Sequence, residues 1–135
     1  MFLDTNVLVS AFATRGLCAD VLRTVLSEHE LVTGEIILAE LDRVLSKKLG
    51  LPRGHVDEIM ELLKQQAVVP APTATPSLAL RDKDDRLVIA SAIAAQPELF
   101  VTGDGELLGL DTCDLSFRIV SPREFWSLLA RKDDQ

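Results

Sequence analysis

The chain has 135 residues, of which 47% are hydrophobic and 26% charged, and its formal net charge at pH 7 is −7. This length and composition predict one folded domain over residues 1–135 with a substantial core, and they exclude an intrinsically disordered protein. The excess of acids argues against a general basic surface for nucleic acid, and five phenylalanines and one tryptophan are too few for a base-stacking platform.

Short apolar runs alternate with longer amphipathic segments along the chain. The runs predict strands, and the longer segments predict helices. The strands are expected at residues 2–4, 29–34, 67–70, 98–103 and 116–121, and the helices at 5–13, 18–28, 35–49, 54–66, 85–96 and 122–132. Strands that alternate with helices indicate a parallel sheet covered on both faces, so we expect an open, doubly wound α/β fold.

Glycine and proline mark the boundaries of these elements. Gly50 and Pro52 separate the helices at 35–49 and 54–66, because neither residue continues a helix well. Pro122 suits the first turn of the last helix, with Ser121 as its N-cap. The proline-rich stretch at 69–77 resembles a linker, but the chain beyond it is too short for a separate domain, so we interpret the stretch as a loop.

The cysteines and the apolar stretches of the sequence indicate the cellular compartment of the protein. Cys18 and Cys113 match no zinc or redox spacing and are expected to be reduced thiols. The most apolar stretch, at 87–95, is far shorter than the roughly 20 residues of a membrane span, and no signal peptide is apparent. The sequence therefore predicts a cytoplasmic protein without a membrane partner.

Carboxylates stand where this fold brings chain segments together. In open α/β sheets, ligands bind outside the carboxyl ends of the strands. The candidates are Asp4 after the first strand, Glu40 in the helix after the second, Asp82, Asp84 and Asp85 near the start of the helix at 85–96, and Asp104 after the fourth strand. Glu40 lies near the border of the apolar stripe of its helix, from which it can reach over the rim of the sheet.

Each acid, taken alone, also has an ordinary structural interpretation. Asp4 can be the N-cap of the first helix, and the acids of DKDD can cap the helix that comes after them. Glu40 can be a surface residue, and Asp104 can belong to a turn in TGDGE. Residue type at a single position does not decide between these alternatives.

Taken together, the acids favour a metal site. Carboxylates crowded at one rim repel each other, and divalent cations relieve that repulsion. Oxygen ligands without His or Cys fit Mg²⁺ or Mn²⁺ better than Zn²⁺. Such a metal engages phosphate oxygens and activates water. The residues therefore indicate a metal-dependent phosphoryl hydrolase.

Four sequence segments in order add a resemblance to a known family. LDTNVLVSAF, AELDRVL, DDRLVIASA and VTGDGELL together resemble the PIN domain family of metal-dependent ribonucleases, most closely its VapC-like toxin branch. The similarity spans about residues 2–125. It implies a three-layer α/β/α fold with a mainly parallel central sheet of four to five strands.

The resemblance also implies roles for individual residues and partners. Asp4, Glu40, Asp85 and Asp104 match the family's acids, which hold one or two Mg²⁺ or Mn²⁺ ions and activate water to cleave RNA. Asp82 is a further candidate metal ligand, because DKDD offers three aspartates where the family needs one or two. Asn6 and Thr102 match small polar positions that support the acids. The implied partners are an RNA substrate, a small antitoxin protein and a second copy in a homodimer.

Rival functions remain open at this point. A receiver-like phosphotransfer domain requires a lysine at a later strand end, which is missing here. A haloacid-dehalogenase-type phosphatase requires a second aspartate two residues after the first, where this chain has Asn6. A PIN fold that binds RNA or protein without activity is the third alternative.

A local group of cations can bind nucleic acid even though the net charge of the protein is negative. Several cations flank the proposed acids or the first helix and are candidates for phosphate contacts: Arg15, Lys47, Lys48, Arg81, Lys83 and Arg86. Most such residues only make a helix face soluble, so we expect no more than a few of them to contact RNA.

Overall fold

The computed structural model of the chain describes residues 1–73 and 83–133. Within these ranges the strands are β1 (Phe2–Leu3), β2 (Val32–Gly34), β3 (Ala67–Val69), β4 (Leu99–Val101) and β5 (Arg118–Val120). The helices are α1 (Thr5–Ala13), α2 (Leu17–Glu28), α3 (Glu35–Arg43), α4 (Arg53–Lys64), α5 (Lys83–Ala95), α6 (Gly105–Leu108) and α7 (Pro122–Asp133). A π-helical turn, Val44–Lys48, continues α3.

The strands form one sheet in the order β3-β2-β1-β4-β5, and every neighbouring pair is parallel. Phe2 of β1 lies opposite Val32 on one side and Phe100 on the other. The predicted α/β class with a three-layer α/β/α arrangement is confirmed. The chain adds β2 and β3 on one side of β1 and then returns to add β4 on the other. The gap between β1 and β4 is therefore the switch point where this fold places ligands.

The core packs apolar helix faces against the sheet. The apolar stripe of α3 and its π-helical turn faces the core, since Ile37, Leu41 and Leu45 are inaccessible to solvent, while Val44 at its edge is partly exposed. The ring of Phe100 stacks on Phe2, with centroids 5.4 Å apart. Each large apolar side chain buried in this way contributes about 1.5–3 kcal/mol relative to an exposed one. This packing fixes β1 and β4 side by side beneath the switch point.

Helix ends depend on their local sequence. Ser121 and Glu124 form a capping box at α7, in which the Glu124 N–H donates to Ser121 Oγ at 3.1 Å and the Ser121 N–H to Glu124 Oε1 at 3.4 Å. Gly50 has a φ of +66°, a left-handed conformation that other residues rarely adopt, and it ends the turn after α3. The predicted helix boundaries near Gly50 and Pro122 therefore coincide with a left-handed glycine and with a capping box.

Three details differ from the prediction. The strands are shorter than the apolar runs, because only two or three residues of each run pair in the ladder. The helix predicted at 35–49 becomes π-helical from Val44, where the Leu49 N–H donates to the Val44 carbonyl at 3.0 Å. Helix α6 was not predicted, since its four residues are too few to show a helical period.

The remaining predictions concern membranes, thiols, two charged residues and the proline-rich stretch at 69–77, of which residues 74–77 lie outside the described residues. In residues 1–73 and 83–133, no helix combines the length and the apolar composition that crossing a membrane requires. Cys18 and Cys113 are free thiols, as predicted. Asp82 and Arg81 lie outside the described residues.

Candidate active site

A cleft of about 420 Å³ opens at the carboxyl edge of the sheet, above β1 and β4. Its walls come from the start of α1, one face of α3 with its π-helical turn, the start of α5 and the loop before α6. We call it the acidic cleft, and its lining residues are Asp4, Thr5, Asn6, Val9, Ser10, Glu40, Val44, Asp84, Asp85, Val88 and Asp104.

Asp4 lies at the centre of the sheet edge, directly after β1, and is 6% exposed. Its Oδ1 accepts a hydrogen bond from the Thr5 N–H at 2.8 Å, which makes Asp4 the N-cap of α1. Its Oδ2 accepts from Thr102 Oγ1 at 2.7 Å and from Asn6 Nδ2 at 3.3 Å. Asp4 therefore caps α1 through its Oδ1, while Thr102 and Asn6 hold its Oδ2 in the acidic cleft.

Thr102 connects Asp4 to the second acid of the sheet edge. Its Oγ1 donates to Asp4 and accepts from the Asp104 N–H at 3.0 Å. Asp104 in turn caps α6, with its Oδ1 accepting from the Glu106 N–H at 2.8 Å. The buried Thr102 hydroxyl thus holds the carboxylate of Asp4 and the backbone of Asp104.

Asn6 ties α1 to the loop after β4. Its Oδ1 accepts a hydrogen bond from the Gly103 N–H at 3.1 Å, while its Nδ2 faces Asp4. The same side chain therefore contacts both sides of the switch point. Asn6 and Thr102, the two small polar residues singled out in the sequence, thus both donate hydrogen bonds to Asp4.

The electrostatics of Asp4 result from burial and from its neighbours. Burial raises the pKa of the Asp4 carboxyl above its ordinary value, and the hydrogen bonds from Thr102 and Thr5 oppose that rise. The negative charges of Asp104 and Glu40 raise the same pKa further. A buried carboxylate with two acids close enough to perturb it is an environment that a cation would stabilise.

The remaining acids line the outer part of the acidic cleft. The side chain of Glu40 is 42% exposed, and Arg43 Nη2 lies 3.9 Å from its Oε1. Asp85 is half-buried in the first turn of α5, and Asp84 beside it is exposed. Both line the acidic cleft.

The acids share a cleft but do not form a finished ligand set. In the part of the chain that the structure describes, no three His, Cys, Asp or Glu side chains stand close enough to hold a metal ion. Their chemistry still fits Mg²⁺ or Mn²⁺, because the donors are carboxylate oxygens around a buried, charge-repelled Asp4. A cation would have to draw the acids closer together.

Five lining residues were not identified from the sequence: Thr5, Val9, Ser10, Val44 and Val88. Helical spacing carried the signal, because Val44 lies four residues after Glu40 and Val88 three after Asp85. Thr5 is notable because its Oγ1 is buried and has no hydrogen-bond partner among the described residues.

Comparisons with known proteins cover most of the chain. A family model described as PIN domain matches residues 1–106, a span that contains all the proposed acids. The fold is similar to a chain in the crystal structure of VapBC2 from Rickettsia felis bound to a DNA fragment from their promoter. The TM-score is 0.64 at 16% identity, over 89% of this chain and 96% of that chain. That likeness concerns the fold alone. No curated protein sequence gives a match.

Proposed function

The chain belongs to the PIN domain family, and we propose that it is a Mg²⁺- or Mn²⁺-dependent endoribonuclease that hydrolyses phosphodiester bonds in the acidic cleft. One observation carries the proposal: Asp4, Glu40, Asp85 and Asp104 come from four distant segments and line the same cleft. Because like charges repel, such a gathering favours a role that a bound cation stabilises.

The proposed ligands are these four carboxylates, with Asp82 as a further candidate. A divalent cation bound there would supply charge neutralisation for a phosphodiester and a water of lowered pKa. Asp4 is the proposed anchor, since hydrogen bonds from Thr5 and Thr102 hold its oxygens in place. Thr102 and Asn6 are proposed to fix the distance between Asp4 and Asp104, which lie on opposite sides of the switch point.

An RNA cleavage assay tests the proposal directly. Structured and single-stranded RNA are incubated with the protein in Mg²⁺, Mn²⁺ or EDTA, alongside Asp4→Asn and Asp85→Asn. We expect metal-dependent cleavage that either substitution lowers by about 100-fold or more, since loss of a residue that only orients a metal ligand already costs about 10- to 100-fold. Asp114→Asn, an exposed acid outside the acidic cleft, is the matched control and should keep full activity. Cleavage that persists in EDTA, or in both cleft variants, would contradict the mechanism.

A second candidate is a PIN-fold module that binds RNA or protein without cleaving it. The observation that favours it is the lack of a finished metal ligand set among the described residues. The two candidates differ in metal binding. Isothermal titration with Mn²⁺ should give heat with the unmodified chain and none with Asp4→Asn if the protein is a nuclease.

We further propose that the protein is the toxin of a type II toxin–antitoxin pair, acting in the cytoplasm as a homodimer with a small antitoxin. The fold likeness to a chain of the VapBC2 structure supports this role. Light scattering of the purified protein tests the homodimer. Expression with and without the product of a small neighbouring gene tests the antitoxin. A monomer whose expression does not affect growth would oppose both parts.

A further inference from the structure

A second cleft, of about 480 Å³, lies between α3 with its π-helical turn and α4. Among the described residues, four cationic side chains and one acid line it, and we call it the basic cleft: Arg43, Lys47, Arg53, Lys64 and Asp42. In a chain with a net charge of −7, this is a local reversal of sign. Such a patch attracts anions regardless of the net charge of the protein.

Arg53 and Asp42 form the framework of the basic cleft. Arg53 Nη1 and Nη2 donate to the two carboxylate oxygens of Asp42 at 2.9 and 2.7 Å. Arg53 Nε also donates to Asp57 Oδ1 at 2.9 Å. This two-pronged contact fastens the start of α4 to α3 and holds the two walls together. The charges of Arg53 and Asp42 largely cancel each other.

Lys47 and Lys64 supply the positive charge that is not held in an ion pair with a described residue. Both are exposed, and among the described residues neither has an acidic side chain within 4 Å. Lys47 stands on the π-helical turn and Lys64 on the last turn of α4, so they belong to opposite walls. Turns of π-helix inside longer helices are frequent at functional sites.

The basic cleft and the acidic cleft both border α3 and its π-helical turn. Arg43 lines the basic cleft, and its Nη2 lies 3.9 Å from Oε1 of Glu40, which lines the acidic cleft. Arg43 therefore places a cation of the basic cleft beside an acid of the acidic cleft. No aromatic side chain from the described part of the chain lines the basic cleft, so these residues offer nothing for base stacking.

We propose that the basic cleft binds the phosphate backbone of the RNA substrate on one side of the bond that is cleaved in the acidic cleft. This inference rests on the proposed function and names the part of the surface that grips the substrate. Lys47 and Lys64 contact phosphates, and Arg43 guides the strand between the two clefts. The contact is independent of base sequence because it is made to the backbone.

Binding and cleavage measured separately test the inference. Affinity for a labelled single-stranded RNA is measured by anisotropy in Ca²⁺, with a gel to show that the RNA stays intact. Lys47→Gln and Lys64→Gln should each weaken binding by about threefold to tenfold and lower the slope of log affinity against log salt by about 0.7. Lys48→Gln is the matched control, since Lys48 is equally exposed and adjacent but does not line the basic cleft.

A short substrate separates this inference from the proposed function. Lys48→Gln should cleave a dinucleotide at the unmodified rate, whereas Lys47→Gln and Lys64→Gln should lower cleavage of a long RNA more than cleavage of the dinucleotide, because only a longer strand extends to the basic cleft. Failure of the proposed function shows as an unmodified chain that cleaves nothing. Failure of this inference shows as Lys47→Gln and Lys64→Gln that bind RNA as tightly as Lys48→Gln. Unchanged RNA affinity with weakened capture of an acidic protein would assign the basic cleft to a protein partner and overturn the inference.

Discussion

The Asp4 carboxylate accepts a 2.7 Å hydrogen bond from the Thr102 hydroxyl, although the two residues are 98 positions apart in the chain. They meet because β1 and β4 are neighbours in the sheet and both strands end at the same edge. The same hydroxyl accepts from the Asp104 N–H at 3.0 Å. One buried threonine therefore links two of the proposed metal ligands.

Thr102→Val removes that hydroxyl and preserves the shape of the side chain. We expect metal affinity and RNA cleavage to fall by about 10- to 100-fold, as for other residues that orient metal ligands. The pKa of Asp4 should rise further, because the Thr102 hydrogen bond lowers it. A carboxyl-carbon NMR titration and Mn²⁺ calorimetry measure the two effects. Thr102→Ser keeps the hydroxyl and should stay close to the unmodified protein; equal losses in both variants would contradict a role for this hydrogen bond.

The raised pKa of Asp4 predicts how stability depends on pH without metal. The folded carboxyl holds its proton to a higher pH than the unfolded one, whose pKa is near the ordinary value of 3.8. Folding is therefore favoured by protonation, and the contribution of Asp4 to stability is lost as pH rises from about that value through the folded pKa. Urea denaturation in EDTA should show the unmodified protein losing stability relative to Asp4→Asn over this range. A difference between the two proteins that does not change with pH would refute the assignment.

Divalent cations should stabilise the fold through the same residues. A ligand that binds only the folded state adds about 2.7 kcal/mol at a concentration 100 times its dissociation constant. We expect Mg²⁺ or Mn²⁺ to raise the melting temperature of the unmodified protein and of Asp114→Asn. Asp4→Asn should show little or no rise, because it removes the central carboxylate of the acidic cleft. An equal rise in all three proteins would indicate binding elsewhere.

Much of the fold was predictable because it depends on local periodicity. The apolar faces of α3 and α4 are visible at three- and four-residue spacing, and alternation of strands with helices predicted the parallel sheet. The order of the strands in the sheet, with β1 at the centre, is visible only in the structure. Helix α6 was missed, since its formation depends on Asp104 as an N-cap rather than on any period.

The site was predictable as a set of residue types but not as a geometry. The order of the acids in the sequence pointed to one sheet edge, and they line one cleft there. That the acids within the described residues stop short of a finished ligand set depends on side-chain positions, which carry no sequence signal. The basic cleft could not be predicted from the sequence either. Lys47 and Lys64 belong to different helical segments, and the contact between Arg53 and Asp42 that joins these segments is visible only in the structure.

A close contact behind the acidic cleft connects packing to the site. Gly34 ends β2 and precedes α3, which carries Glu40. A Cβ at position 34 would lie 3.3 Å from Cβ and 3.4 Å from Oγ of Ser91, which is buried on α5, and 3.5 Å from Cγ2 of Val69. Since α5 also carries Asp85, displacing it would separate two of the proposed ligands.

Gly34→Ala should therefore lower both stability and activity. Overpacking of a filled core costs about 1–3 kcal/mol, which urea denaturation would show as a lower midpoint with an unchanged slope. Metal-dependent cleavage should fall even at temperatures where the variant is fully folded, because Asp85 moves with α5. Gly54→Ala is the matched control: a Cβ there meets nothing within 4 Å, and alanine in α4 should stabilise by about 0.4–1 kcal/mol. A Gly34→Ala protein as stable and active as Gly54→Ala would show that β2 and α5 can separate without affecting the acidic cleft.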